Sequence, residues 1–332
     1  MSSISHGAAP AARWRPNLSA LGPLLALVLL ILLGAMLNGN FLSYANIANV
    51  VARAATMGII AIGATFVITA GGLDLSVGSM AAFIAGMMII IMNAVVPWLG
   101  TGWTVVIVGM LSGLAIGSAA GALNGVLVTA GRIEPFIVTL GGLGVYRALI
   151  TFLANGGTLN LNFQVADVFS PVYGGVIAGV PVPIIVFAVI AIIAEIVMRR
   201  TTFGRHCAAI GSNEQVARYS AIKVDRVRLL TYTLQGFLVG AGTLLYVPRF
   251  GSANSSTAVG WELEAIAAVI IGGTMLKGGF GRIWGTVVGV IILELIGNIL
   301  NLQSLISPYL NQAFQGVIII VAVLLQRSRR TA

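Results

Sequence analysis

The chain has few charged residues. Only 8% of its 332 residues are Asp, Glu, Lys or Arg, whereas soluble domains carry about 25%. Hydrophobic residues make up 58% of the chain. They fall in long runs, unlike the short alternating segments of an outer-membrane barrel. The composition therefore predicts an all-α polytopic membrane protein and excludes an ordinary soluble fold.

Cysteine and histidine are also scarce. The single Cys207 excludes a disulfide framework or a cysteine metal site within one chain. His6 and His206 are too far apart to suggest a metal centre and offer little for acid–base catalysis. The glycine-rich run GGTMLKGGFG lacks the Lys-Ser/Thr ending of a phosphate-binding loop. We therefore predict no catalytic site, metal or cofactor, and no ATP site in this chain.

About ten apolar segments reach or approach the roughly 20 residues that a helix needs to cross a bilayer. No small-residue cleavage site follows the first, so we interpret it as a retained span. We predict one permease domain over 18–326, with an N-terminal tail at 1–17 and a basic tail at 327–332. The predicted spans are 18–37, 47–71, 75–95, 103–130, 134–154, 179–198, 228–248, 262–277, 284–304 and 309–326.

The basic residues indicate an orientation. An even number of spans places both termini on one side, and assigning that side to the cytoplasm puts fifteen of the eighteen Lys and Arg residues there. The three exceptions are Arg53, Arg147 and Arg249. This asymmetry follows the positive-inside rule, and it accounts for the net charge of +9 without a nucleic-acid partner. We predict a multi-pass protein with cytoplasmic termini and lipid around its spans.

One polar stretch interrupts the apolar runs. Residues 199–228 carry seven bases against two acids. Within the predicted cytoplasmic loop 199–227, Ser212 or Asn213 can cap a short helix through Tyr219, and Ser212 with Gln215 fits a capping box. A capped helix in a basic loop can act as a rigid lever that docks a soluble partner. The other interpretation is a loop that only sets topology.

Two glycine pairs precede polar or glycine-rich stretches. Gly71 and Gly72 lead into LDLSVGS, where Asp74 or Ser76 can cap the next helix. Gly272 and Gly273 lead into TMLKGGFGRIWGTVVG. The similarity suggests an internal repeat, and glycine-interrupted segments at corresponding positions mark the pathway in many transporters. Chance resemblance between glycine-rich helices, and a purely structural cap at Asp74, are the competing interpretations.

Neutral amides lie inside several predicted spans. Asn124, Gln235, Asn298 and Asn301 can donate and accept hydrogen bonds without a counter-ion, which suits hydroxyl-rich cargo. Hydrogen bonding between helices is the commoner use of such residues. Arg147 lies deeper in its span and requires a partner or water access.

The run GGLDLSVGS resembles the signature of sugar-type permease subunits of bacterial ABC importers. The similarity extends over most of the chain, including TFGRHCAAIGSNEQVARYSAI and ELEAIAAVIIGGTMLKGGFGRIWGTVVG. The resemblance implies an inner-membrane permease for a monosaccharide or similar small polyhydroxylated solute. It also implies a separate ABC ATPase subunit, a periplasmic solute-binding protein and a second permease chain, identical or a sister.

The same resemblance implies a coupling helix that docks on the ATPase. In that family the residue before the position of Ile222 is often glycine, whereas this chain has Ala221 there. The positions that the resemblance and the capping pattern assign to coupling are Gly204, Gly211, Ser212, Asn213, Ala217, Ser220 and Ile222. Two other classes remain open: an ion-coupled secondary transporter, which requires intramembrane carboxylates such as Asp74, Glu134 or Glu294, and a membrane-embedded enzyme.

Overall fold

The computed structural model describes residues 22–303, together with residues 313, 316 and 317. The predicted tails and the predicted span 309–326 lie outside this part of the chain, apart from those three positions. Helices dominate the described residues. They are α1 Gly22–Leu37, α2 Tyr44–Thr69, α3 Val77–Leu99, α4 Trp103–Thr129, α5 Pro135–Leu153, α6 Phe163–Phe169, α7 Pro171–Gly174, α8 Val182–Arg200, α9 Thr202–Ser212, α10 Glu214–Tyr219, α11 Val224–Phe250, α12 Trp261–Ile271 and α13 Ile283–Gln303.

Within the described residues, seven helices are long and apolar enough to cross a membrane: α2, α3, α4, α5, α8, α11 and α13. Each coincides with a predicted span to within a few residues. The predicted span 262–277 is wrong in extent, because α12 has only 11 residues and ends at Ile271. A helix rises 1.5 Å per residue, so α12 falls well short of the bilayer thickness.

The centre of the bundle is α11, which packs against α4 and α2. Glycines permit the closest of these approaches. A Cβ at Gly236 of α11 would overlap the carbonyl oxygen of Gly117 on α4, and one at Gly121 would overlap the carbonyl oxygen of Tyr232. Small residues let helix backbones meet in this way where lipid supplies no hydrophobic drive for association. Helices α4 and α11 are therefore closely packed, and the buried helix α2 lies against α11.

Among the described residues, four short strands lie at the end of the bundle away from α9 and α10, hereafter the opposite end. Strand β1 (Thr158–Asn160) pairs antiparallel with β4 (Ser252–Asn254), while β2 (Val176–Ile177) pairs with β3 (Val180–Pro181). Arg147 of α5 donates to the carbonyl oxygens of Ser255 and Thr257, at 2.6 and 2.7 Å. These carbonyls are the partners that the depth of Arg147 required.

Candidate functional site: the coupling helices and the glycine junction

The polar stretch 199–227 folds into two helices, α9 and α10, instead of one capped helix in a loop. Thr201 caps α9 by accepting from the Gly204 amide, and Asn213 caps α10 by accepting from the Val216 amide at 3.0 Å. The Asn213 cap was predicted. The Ser212 alternative and its capping box are wrong, because Ser212 is the last residue of α9 and its hydroxyl donates to Ala208.

Helix α10 ends in a Schellman turn. The Ala221 amide donates to the Arg218 carbonyl and the Ile222 amide to the Ala217 carbonyl, the bonding pattern of that motif. Ala217 and Ile222 also pack in the same apolar cluster, which supplies the hydrophobic contact that accompanies the motif. Ala221 has a φ of 59°, in the left-handed region that favours glycine. Glycine, which the resemblance implies at this position, would adopt this conformation without strain.

Ala221→Gly is expected to stabilise the protein by about 1 kcal/mol. A left-handed conformation costs an L-residue roughly 1–2 kcal/mol, and the greater entropy that glycine gives the unfolded chain offsets part of this gain. Thermal unfolding of the detergent-solubilised protein measures the shift. Gly251→Ala is the matched control, since Gly251 also has a positive φ, with no atom near its missing Cβ. That change should lower the unfolding temperature. No shift, or a decrease, for Ala221→Gly would contradict the strain argument.

An ionic network fixes α10 to the start of α11. Arg218 contacts Glu214 and Asp225, each at 2.9 Å, and Arg228 contacts Glu214 at 2.6 Å. Partial burial alone would raise the pKa of Glu214, but its hydrogen bonds and proximity to Arg218 and Arg228 together lower it. The carboxylate is therefore ionised at neutral pH, and the network holds α10 in one orientation.

The orientation of α10 separates a buried face from an exposed one. Ala217 is 3% exposed and faces the interior, whereas Val216 is 57% and Tyr219 88% exposed. Ser220, the C-cap, is exposed as well. Of the positions that the resemblance assigned to coupling, Ala217 and Ile222 therefore anchor α10. The exposed surface of α10 includes Val216, Tyr219 and Ser220, with Gln215 and Arg218 beside them.

Three chain segments meet where α9 ends, at what we call the glycine junction: Thr69–Gly72, Gly211–Ser212 and Gly278–Gly279. The Gly279 amide donates to the Thr69 carbonyl at 2.9 Å. A Cβ at Gly211 would overlap the Thr69 carbonyl oxygen and the Gly279 amide, and one at Gly278 would lie 2.9 Å from the Cα atoms of Gly71 and Gly211. The end of α9 thus contacts, backbone against backbone, the Gly71 break after α2 and the Gly278–Gly279 turn, which follows the second glycine pair in the connection between α12 and α13.

The other predicted coupling glycine, Gly204, serves a different contact. A Cβ there would overlap the Met198 carbonyl oxygen, so Gly204 permits the sharp turn from α8 into α9. Helix α9 is therefore in close backbone contact with the end of α8 at its start and with the glycine junction at its end.

Helices α2 and α12 end in the same way. The Gly71 and Gly72 amides donate to Ile68 and Val67, and the Gly273 and Thr274 amides donate to Ile270 and Val269. Gly71 and Gly273 both have positive φ, as the Schellman turn requires. This geometry aligns Gly71 with Gly273, one position away from the Gly71–Gly272 alignment that the sequence suggested.

Asp74 and Ser76 do not cap α3 as predicted, because no side chain accepts a hydrogen bond from its first turn. The Asp74 carboxylate accepts from the Ser76 amide and hydroxyl at 2.8 and 2.6 Å, and the Asn124 amide group donates to the same hydroxyl at 3.0 Å. The Tyr232 hydroxyl donates to the Leu73 carbonyl. These bonds hold the segment after Gly72 against α4 and α11.

The remaining amides divide between helix packing and an open cavity. Gln235 is buried and donates to the Ile60 carbonyl, while Asn298 and Asn46 exchange hydrogen bonds at 2.8 and 3.1 Å. Asn301 instead lines a cavity at the opposite end. The ion pair between Arg53 and Glu294, at 3.3 Å, was not foreseen. Both residues interrupt apolar runs, which marks them as candidate functional residues, but the sequence did not show that they face each other.

Comparisons with known proteins agree on the class. Residues 46–323 match the family model described as the branched-chain amino acid transport system / permease component. The ribose import permease protein of Bacillus subtilis is 38% identical over 319 residues, covering 93% of each chain. That of Escherichia coli K12 is 35% identical over 92% of this chain and 93% of its own. The D-allose transport system permease protein of Escherichia coli K12 is 32% identical over 90% of this chain and 89% of its own.

Proposed function

The chain belongs to the family of the branched-chain amino acid transport system / permease component, and on this premise we propose that it is the membrane-spanning subunit of an ABC importer for a monosaccharide or similar polyhydroxylated solute. The family description mentions amino acids, whereas the relatives named above carry ribose and D-allose in their names. The sugar assignment also fits the GGLDLSVGS run.

One observation carries the coupling mechanism: the end of α9 contacts the end of α2 and the Gly278–Gly279 turn of the α12–α13 connection at once. ATP is hydrolysed in a separate ATPase subunit, which docks on α10 through Val216 and Tyr219. The ionic network around Glu214 makes α10 and the start of α11 move together. Because Gly211 leaves no space against Thr69 and Gly279, displacement of α9 must shift the ends of α2 and of the α12–α13 connection.

The end of the bundle that carries α9 and α10 faces the cytoplasm. Ten spans including 309–326 leave both termini there, and α2 and α12 occupy equivalent places in an internal repeat. A periplasmic solute-binding protein delivers cargo at the opposite end. A second permease chain completes the pathway. The matching ends of α2 and α12 support the repeat.

The ion-coupled alternative finds less support in the placement of its carboxylates. Glu294 is paired with Arg53, and Asp74 is engaged by Ser76. Glu134 is exposed where α5 begins. Glu294 and Glu134 are therefore not buried carboxylates without a partner, of the kind that a proton or sodium relay through a membrane requires. Asp74 is buried and its Oδ2 atom has no partner among the described residues, but its Oδ1 atom is bonded by Ser76 in the turn between α2 and α3.

Uptake into proteoliposomes tests the proposal. The permease is reconstituted with an ATPase subunit and a solute-binding protein of the same importer class, and radiolabelled D-ribose, D-allose and D-xylose are offered in turn. We expect uptake of at least one sugar to require ATP inside the vesicle and to persist when a protonophore and a sodium ionophore are added. Uptake that does not depend on ATP and is abolished by the ionophores would contradict the ABC assignment and favour ion coupling.

A further inference from the structure

A cavity of about 450 Å³ opens between α2, α11, α12 and α13 in the half of the bundle away from the glycine junction. Its size falls within the roughly 300–1,000 Å³ range of small-molecule sites. We propose that this cavity is a transit site for the sugar, with the Arg53–Glu294 pair and Asn301 binding hydroxyl groups and Trp261 contacting the sugar's C–H face. This assignment rests on the proposed function and adds the residues that recognise the cargo.

The ion pair is the first reason. Arg53 and Glu294 lie within the spans α2 and α13, where charged side chains are costly and mark transport pathways. Their side chains are 33% and 26% exposed, and both line the cavity. The Arg53 Nε atom is buried without an acceptor among the described residues. A guanidinium beside a carboxylate offers donors and acceptors side by side, which is what vicinal hydroxyl groups require.

The aromatic wall is the second reason. Trp261 meets Tyr246 edge to face, with ring centroids 5.7 Å apart, and Tyr246 packs on Phe250 at 4.7 Å. The Arg249 guanidinium lies over the Phe250 ring, 4.7 Å from its centroid. All four residues line the cavity. Apolar rings facing a few convergent polar groups are the usual composition of a small-ligand site, and a sugar presents C–H surfaces and hydroxyls to match.

The third reason is the position of the cavity relative to the glycine breaks. Trp261 opens α12, whose other end carries Gly272 and Gly273. Arg53 lies on α2, whose other end carries Gly71. The two helices that end at the glycine breaks therefore also carry the walls of the cavity. Displacement at the glycine junction would move these walls relative to α11, so the cavity can hold sugar in one state and release it in another.

The test measures sugar transported per ATP hydrolysed, in the reconstituted complex with its binding protein and radiolabelled D-ribose, D-allose or D-xylose. We expect Glu294→Gln to lower this ratio by about tenfold, equivalent to the loss of one charged hydrogen bond, with ATP hydrolysis stimulated by loaded binding protein within about twofold of wild type. Asn301→Leu should also lower the ratio, and because Asn301 is exposed this variant tests the site if Glu294→Gln does not insert.

The matched control is Glu195→Gln. Glu195 forms an ion pair with Arg199 inside α8, away from the cavity, so its loss should leave the ratio unchanged. A wild-type ratio in both Glu294→Gln and Asn301→Leu would overturn the cavity assignment while leaving the importer proposal intact. Absence of ATP-driven uptake of all three sugars by the wild-type complex would overturn the proposed function, and the cavity assignment with it.

Discussion

Replacing Gly211 by alanine is expected to lower ATP-driven uptake by at least tenfold. The added Cβ would overlap the Thr69 carbonyl oxygen and the Gly279 amide, and both are backbone atoms that cannot rotate away. Overpacking of this kind costs about 1–3 kcal/mol, and each 1.4 kcal/mol is about tenfold in rate or population. Uptake into proteoliposomes and hydrolysis of ATP by the same complex are the two measurements.

The control for this substitution is Gly141→Ala. Gly141 also lies within a helix, α5, and nothing lies within 4 Å of its missing Cβ. Alanine there should raise helix stability by about 0.5–1 kcal/mol and leave transport alone. If Gly211→Ala transports as well as Gly141→Ala, the glycine junction is not the point through which movement of α9 is transmitted.

Replacing Val216 and Tyr219 together by serine is expected to weaken binding of the ATPase subunit by roughly 30-fold or more. Their side chains are 57% and 88% exposed on a helix held in place by the Glu214 network. A pair of apolar anchors at the centre of a docking surface typically contributes about 2 kcal/mol or more. Co-purification with the ATPase from native membranes, followed by an affinity measurement with the purified subunits, gives the result.

Two comparisons make this experiment specific. Phe163→Ser removes an aromatic side chain of similar exposure, 78%, from the opposite end and should retain the ATPase. Ala217→Arg is a poor probe, although Ala217 was assigned to coupling, because Ala217 is buried and an arginine there would disrupt the packing of α10 itself. Full retention of the ATPase by the serine variant would exclude α10 as the docking helix.

Much of the architecture was predictable because helices that span a bilayer can be recognised from the sequence alone. Each needs about 20 apolar residues, so α2, α3, α4, α5, α8, α11 and α13 were placed from hydropathy alone. The Asn213 cap was predictable for a similar reason, since a cap acts within four residues. Helix α12 was overextended because Thr274, Met275 and Leu276 are apolar enough to continue a span, whereas the turn at Gly273 ends the helix.

The functional surfaces were harder to predict. Resemblance placed coupling between Gly204 and Ile222, but it could not show that Ala217 is buried and Tyr219 exposed, because that depends on which face of α10 packs against the bundle. Both glycine breaks were recognised as candidates. The contact of Gly211 with Thr69 and with the Gly278–Gly279 turn depends on three segments that are distant in sequence and meet only in the folded bundle.

By itself, then, the sequence determined what depends on local composition: a multi-span helical protein, the position of its helix breaks and the short helix that Asn213 caps. Only the tertiary structure decided which distant residues meet. It paired Arg53 with Glu294 across α2 and α13, supplied Arg147 with two carbonyl partners, and brought the end of α9 onto Thr69 and Gly279. Helix formation needs neighbours a few residues apart, whereas these contacts depend on how helices pack, which a one-dimensional pattern does not encode.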